Sequence, residues 1–100
     1  MKDHKLNLTH KKYSEDELEN NINSFDLDYW HYISVYQFLS EYFIEKHSGK
    51  VNWGGISLYQ ELSEQFIKKH INKIDIYCLI RNINISEEIK NELSTIMDII

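Results

Sequence analysis

Apolar residues recur along this chain in a pattern that repeats itself after 23 positions. Residues 30–47 are WHYISVYQFLSEYFIEKH, and residues 53–70 are WGGISLYQELSEQFIKKH. A period of this length is typical of stacked supersecondary units, each too small to bury its own apolar face. The duplication therefore indicates an architecture, and it says little about activity.

Each copy predicts two short helices. The first carries side chains at i, i+3 and i+7, which lie on one side of a helix. These are Trp30, Ile33 and Gln37 in the first copy, and Trp53, Ile56 and Gln60 in the second. Ser40 and Ser63 each precede a glutamate and a second apolar run, which is the chemistry of a helix N-cap.

A degraded third copy follows in the same phase. Asp75 stands where Asn52 stood, and Ser86 and Glu87 match the serine and glutamate of the earlier copies. An amphipathic helix at the C-terminus is predicted from Ile85, Ile89, Leu93 and Ile96. The β-branched residues between 74 and 85 leave a strand as the alternative. Agreement in phase with the repeat favours a helix there.

The N-terminal third lacks the repeat. Residues 1–13 are polar without periodicity, which predicts a flexible arm. Ser14 and Glu17 have the spacing of a capping box, so a short cap helix follows from about residue 15. Asp26 or Asp28 then begins the next helix. The expected fold is all-α: a single domain over residues 14–100, a short stack of two-helix repeats with an N-terminal cap helix and a longer C-terminal helix.

The repeat also carries a resemblance. The pattern V-x-W-x-x-I-S-x-x-Q-x-L-S-E-x-F-I occurs in full from Val51 to Ile67 and less fully from Trp30 to Ile44. It is similar to tandem repeats found in many giant-virus and phage-related proteins, which have no assigned enzymatic activity. The resemblance implies a helical interaction array over roughly residues 28–90. The chain departs from the pattern at Gly54–Gly55, where such repeats often have aromatics.

Charge and motifs exclude several classes of function. The net charge is −5, whereas nucleic-acid binders usually carry a basic surplus. The five histidines do not have zinc-ligand spacing, so no metal or other cofactor is expected. Cys78 lies in an apolar stretch, which indicates a small core residue rather than an activated thiolate. No phosphate loop or catalytic motif occurs, so we do not expect an enzyme.

The expected location is the cytoplasm. No apolar run approaches the roughly 20 residues needed to cross a bilayer, the N-terminus lacks a signal sequence, and one cysteine forms no internal disulfide. The chain has neither alanine nor proline and is rich in Ile, Asn and Lys. AT-rich coding gives such a bias, which points to a low-GC bacterium, its phage or another virus as the source. If the protein is encoded by a phage, the expected location is the cytoplasm of the host cell.

Differences between the copies separate packing positions from candidate contact positions. Recurring residues, such as the two tryptophans and the pair Tyr36 and Tyr59, are expected to pack or cap. In the first copy the differing positions are mostly aromatic: His31, Tyr32, Val35, Phe38 and Tyr42. We call these five the aromatic surface. Exposed patches of this kind often mark partner sites, although coverage by the acidic N-terminal helix is the alternative.

The predicted function is non-enzymatic protein–protein binding. Small size, acidity and virus-like repeats suggest a phage- or virus-encoded stoichiometric inhibitor of a host defence complex, anti-CRISPR-like, that acts by occluding a working surface. One alternative is an acidic nucleic-acid mimic, and another is a self-assembling structural repeat protein. The mimic would use Glu15, Asp16, Glu17, Glu19, Asp26 and Asp28. Direct nucleic-acid binding by Lys46, Lys50, Lys69 and Lys73 is disfavoured by the overall charge.

Overall fold

Seven α-helices and one 3-10 turn make up the chain in a computed structural model that describes residues 6–97, with side chains as far as residue 95. The helices are α1 (Glu15–Asn20), α2 (Leu27–Tyr36), α3 (Glu41–Lys46), α4 (Trp53–Tyr59), α5 (Glu64–Lys69), α6 (Ile76–Ile80) and α7 (Glu87–Met97). Between residues 6 and 97 there is no strand. The all-α prediction is confirmed, and the alternative of a strand over residues 74–85 is wrong.

The chain divides after Asn52 into two compact units. Unit 1 contains α1, α2 and α3, and unit 2 contains α4 to α7. The boundary coincides with the start of the second sequence copy at Trp53. The stacking of the repeats stays a prediction.

The helices begin where serine and aspartate side chains accept from the backbone. The hydroxyls of Ser14, Ser40 and Ser63 accept from the N–H three residues later, at 3.1, 3.0 and 3.1 Å. Asp26 and Asp75 do the same for α2 and α6. Side chains of this kind satisfy N–H groups that a helix leaves without a partner in its first turn. The predicted caps Ser14, Ser40 and Ser63 are therefore confirmed, and Asp26 rather than Asp28 caps α2.

Both copies bring the same three rings together. In unit 1 the ring centroids of Trp30, Phe43 and His47 lie 4.7–6.5 Å apart. In unit 2 the corresponding rings are those of Trp53, Phe66 and His70, at 4.4–6.3 Å. Each set joins the first helix of a copy to its second, so this cluster forms the local core of the two-helix unit.

A buried serine in each of the first two copies binds the residue that comes just before the next copy. The Ser34 hydroxyl donates to the Trp30 carbonyl at 2.8 Å and accepts from the Asn52 N–H at 2.9 Å. Eighteen residues separate Ser57 from Asp75, as they separate Ser34 from Asn52, and the Ser57 hydroxyl accepts from the Asp75 N–H at 2.9 Å. Both serines are fully buried. Their recurrence in the sequence therefore has a structural cause.

Gln37 attaches the N-terminal segment to unit 1. Its amide nitrogen donates to the carbonyls of Leu8 and Lys11 at 2.7 and 2.8 Å, and its oxygen accepts from the Tyr13 N–H at 2.9 Å. Gln37 is 1 % exposed and Leu8 is 4 % exposed. A flexible arm was expected over residues 1–13, of which the structure describes residues 6–13. These residues are packed against the end of α2.

Loss of one serine cap will lower stability by a predictable amount. We expect Ser63→Ala to reduce the free energy of unfolding by about 1 kcal/mol, because the Phe66 N–H loses its acceptor. Chemical denaturation followed by circular dichroism measures this change. Ser94→Ala, at an exposed position inside α7, is the control and will stay within about 0.5 kcal/mol of the parent. Equal stability of the two variants would contradict the role of the cap.

Candidate interaction surface

Helix α2 buries one side and exposes the other. Trp30 and Ile33 are buried, and helical spacing turns His31, Tyr32 and Val35 to the opposite side. His31 is exposed, Tyr32 is 37 % exposed, and Val35 is half-buried. The His31 and Tyr32 rings lie 5.9 Å apart. Three of the five residues of the aromatic surface therefore lie together on one helix.

A row of tyrosines extends this surface along α2. The ring centroids of Tyr29 and Tyr32 are 6.4 Å apart, and those of Tyr32 and Tyr36 are 6.5 Å apart. Partial burial, and then the Asp26 carboxylate, raise the pKa of Tyr29. The expectation that Tyr36 and Tyr59 recur for packing is wrong, since they are 41 % and 48 % exposed. Helical spacing places Tyr36 and Tyr59 away from the buried side of α2 and α4, and this spacing could have indicated their exposure from the sequence.

Phe38 presents an aromatic ring in the loop between α2 and α3. It is 76 % exposed, and the Lys12 ammonium lies 4.7 Å from its ring centroid. The same ammonium donates to the Tyr36 carbonyl, so the N-terminal segment positions it. An exposed cation–π contact contributes about 0.5–1 kcal/mol. Lys12 orders the Phe38 ring and leaves most of it open to solvent.

Tyr42 lies on α3 and is 74 % exposed. It borders a shallow depression of about 370 Å³ together with Glu45 and Lys46. The aromatic surface thus has a continuous part on α2 and two separate rings, Phe38 and Tyr42, in the segments that follow. The acidic N-terminal helix, α1, leaves Tyr32, Phe38 and Tyr42 exposed, so it does not cover these side chains.

Two of the six acids assigned to the nucleic-acid mimic bind at helix starts. The Glu15 carboxylate accepts from the Ser40 N–H at 2.6 Å and from its hydroxyl at 2.8 Å. It therefore supports the first turn of α3 from a different helix. Glu17 completes a capping box by accepting from the Ser14 N–H at 2.9 Å.

Glu19 links α1 to α3. Its carboxylate contacts His47 Nε2 at 2.8 Å and Lys46 Nζ at 3.3 Å. The hydrogen bond with His47, followed by that with Lys46, holds the pKa of Glu19 below its ordinary value. His47 also packs on Trp30 and Phe43, so the contact places a carboxylate beside the aromatic core of unit 1.

The remaining three acids divide between structure and solvent. Asp26 accepts from the Tyr29 N–H at 2.9 Å. Asp16 and Asp28 are exposed. Four of the six carboxylates proposed to imitate phosphates are therefore hydrogen-bonded within unit 1, although two of these, Glu17 and Asp26, are exposed like Asp16 and Asp28.

The described residues offer little for chemistry at a metal or a thiolate. Over residues 6–97, no group of three or more His, Cys, Asp or Glu side chains is placed to hold a metal ion. Cys78 is half-buried, and burial, followed by the nearby Asp75, raises the pKa of its thiol. A thiol with a raised pKa is a poor nucleophile at neutral pH.

Comparisons with protein-family models, with curated proteins and with solved structures find no match for this chain. Within the described part of the chain, no helix has the length and apolar character needed to span a membrane. A proposal about function therefore depends on the surface itself.

The contact between Glu19 and His47 predicts a dependence of stability on pH. Because folding lowers the pKa of Glu19, its contribution is present above the unfolded-state pKa of about 4.3 and is lost as the pH falls through the folded-state value. We expect Glu19→Gln to lower stability at neutral pH by less than about 1 kcal/mol, since water partly screens the pair.

Urea denaturation between about pH 5 and pH 2 measures this effect. The difference between Glu19→Gln and the parent will shrink toward the acid end of that range. Asp16→Asn, at an exposed site on the same helix, will show no such trend. A Glu19→Gln difference that is constant across the range would contradict the assignment.

Proposed function

We propose that this chain is a non-enzymatic protein-binding module whose contact site is the aromatic surface. The observation that supports this most is the exposure of Phe38 and Tyr42, at 76 % and 74 %, in addition to that of the tyrosine row on α2. Aromatic side chains supply large contact areas at low entropic cost and are enriched among residues that dominate binding energy. Tyr32 and Tyr42 are carried by helices whose first turns are capped, and Phe38 lies in the loop between those helices.

A more specific proposal is that of a phage- or virus-encoded inhibitor of a host defence complex. It rests on the composition of the chain and on the resemblance of its repeats. In that role the aromatic surface would occupy a working surface of the partner and exclude its substrate by steric means. The mechanism requires stoichiometric binding and no chemical step.

Nucleic-acid mimicry has less support. Only Asp16 and Asp28, among the six acids in question, are exposed carboxylates without a role in a cap or an ion pair of the described structure. A mimic contacts its target mainly through charge, so its binding would weaken steeply with salt. Binding through aromatic side chains depends much less on salt.

Alanine substitutions in the aromatic surface will abolish partner capture. We expect Tyr32→Ala combined with Phe38→Ala to lose the proteins that the parent chain retains from a low-GC bacterial lysate, because both side chains are exposed and support no core contact. Quantitative mass spectrometry of the retained proteins measures this. Capture by the parent should persist at high salt.

The matched control is Tyr59→Ala combined with Glu61→Ala, at the positions of the second copy that correspond to 36 and 38. This variant should retain the partner. Thermal unfolding of both variants checks that the fold is intact. Unchanged capture by a folded Tyr32→Ala, Phe38→Ala variant would reject the aromatic surface as the contact site. If that variant still captures the partner and the parent loses it at high salt, the result would favour the mimic.

A further inference from the structure

The first sequence copy is acidic, whereas the second is slightly basic. Counted by the period of 23, residues 26–48 contain four acidic side chains and one basic one, and residues 49–71 contain two acidic and three basic ones. With histidine neutral, the net charges are −3 and +1. Lysine occupies the positions of Leu27 and Glu45 in the second copy. The copy that carries the aromatic surface therefore also carries an excess of negative charge.

A carboxylate lies near each of two exposed tyrosines of the aromatic surface. Asp28 is exposed and stands four residues before Tyr32 on α2, so the two side chains are neighbours on the helix surface. Glu45 borders the same depression as Tyr42 on α3. The Lys46 ammonium at this depression is paired with a carboxylate of α1 at 3.3 Å. The surroundings of both tyrosines are therefore negatively charged.

The exposed tyrosines of unit 2 have different surroundings. Tyr59 and Tyr77 are 48 % and 76 % exposed, which is comparable with the 37 % and 74 % of Tyr32 and Tyr42. The helices that carry them, α4 and α6, contain no acidic residue. Asp75 precedes α6, but its carboxylate accepts from two N–H groups of that helix. Exposed tyrosines thus occur in both units, whereas an exposed tyrosine with a carboxylate on the same helix occurs in unit 1.

The chain itself shows how rings of this surface hold a cation. The Lys12 ammonium lies 4.7 Å from the Phe38 ring centroid, and the Lys11 ammonium lies 5.3 Å from that of Tyr13. The face of an aromatic ring is electrically negative and attracts a cation within about 6 Å. Both lysines are exposed, so these contacts form at the surface of the protein. The other exposed rings of unit 1 can accept a cation of another molecule in the same way.

We propose that the partner of the aromatic surface is a protein with a basic contact face, whose arginine side chains stack on Tyr32 and Tyr42 and pair with Asp28. Arginine suits this site better than lysine, because its planar guanidinium can lie on a ring and also hydrogen-bond a carboxylate. Arginine is also enriched among the residues that dominate binding energy at interfaces. The inference rests on the proposed function, since it names the chemistry of the partner at the same site.

Charge has a different role here from its role in a nucleic-acid mimic. The acids of a mimic supply most of the binding energy, whereas here the rings supply the contact and the acids attract a basic partner. Salt then lowers the association rate and changes the dissociation rate little. Capture of the partner therefore persists at high salt, as the proposed function requires, although it becomes slower.

A peptide probe tests the inference before the partner is identified. The probe is a short synthetic peptide of alternating arginine and serine. Its match has citrulline, which has the shape of arginine without the charge, in place of every arginine. Titration of the full chain is followed by NMR of the backbone amides. The arginine peptide should shift the signals around Tyr32 and Tyr42, and the citrulline peptide should bind at least about fivefold more weakly.

Tyrosine variants locate the site. Tyr32→Leu combined with Tyr42→Leu keeps apolar side chains but removes the aromatic faces, so the affinity for the arginine peptide should fall by about two- to fivefold for each ring. Asp28→Asn should weaken binding by about twofold. The matched control is Tyr59→Leu combined with Tyr77→Leu, which removes exposed rings from unit 2 and should bind the peptide as the parent does. Thermal unfolding checks that each variant is folded.

Three results would overturn the inference. The first is equal affinity for the arginine and the citrulline peptide. The second is undiminished binding by the folded Tyr32→Leu, Tyr42→Leu variant. The third is the same loss of affinity in the unit 2 control, since binding would then follow exposed tyrosine in general. If any of these occurs while capture from the lysate still depends on Tyr32 and Phe38, the inference fails and the proposed function stands. Capture that does not depend on Tyr32 and Phe38 rejects both.

Discussion

Very short helices impose the constraint on which this structure depends. An α-helix leaves four N–H groups and four C=O groups without partners inside it, and the helices here have only 5 to 11 residues. A large share of the backbone groups must therefore bond to side chains, to neighbouring segments or to water. Ser40 and Ser63 supply acceptors at the starts of α3 and α5, and Asn82 and Asn84 supply donors to carbonyls of α4. Local polar chemistry, as much as apolar burial, determines where each helix begins and ends.

The same constraint decides what remains available for function. Glu15 and Glu19 look like free surface charge in the sequence, yet each joins α1 to α3 through hydrogen bonds. The aromatic surface is different, because Phe38 and Tyr42 cap no helix and fill no core. The proposed contact site is built on these side chains, because they can change without the loss of a cap or a core contact.

Repetition made much of the fold predictable. The capping serine recurs with the period of 23, and so does the asparagine or aspartate that precedes each copy. A capping residue is a weak signal by itself, but its recurrence strengthens it. This recurrence is why a helix could be preferred to a strand at Ile76–Ile80. The sequence did not predict the contacts of Gln37 with Leu8 and Lys11, since they join segments 26 to 29 residues apart. Recurrence also misled for Tyr36, because a residue can recur for reasons other than burial.

The residues that hold the fold and the exposed residues that vary between copies occupy different positions in this chain. Between the first and second copies, Phe38 becomes Glu61 and Tyr42 becomes Gln65, while Ser40 and Ser63 retain the same backbone angles within a few degrees and the same cap bond. An exposed residue can thus change its chemistry without disturbing the neighbouring helix cap. In the third copy, Ile80 likewise stands where the earlier copies have a serine. The distinguishing property of each unit therefore lies in how its copy departs from the others, and the shared residues keep those departures on a fixed framework.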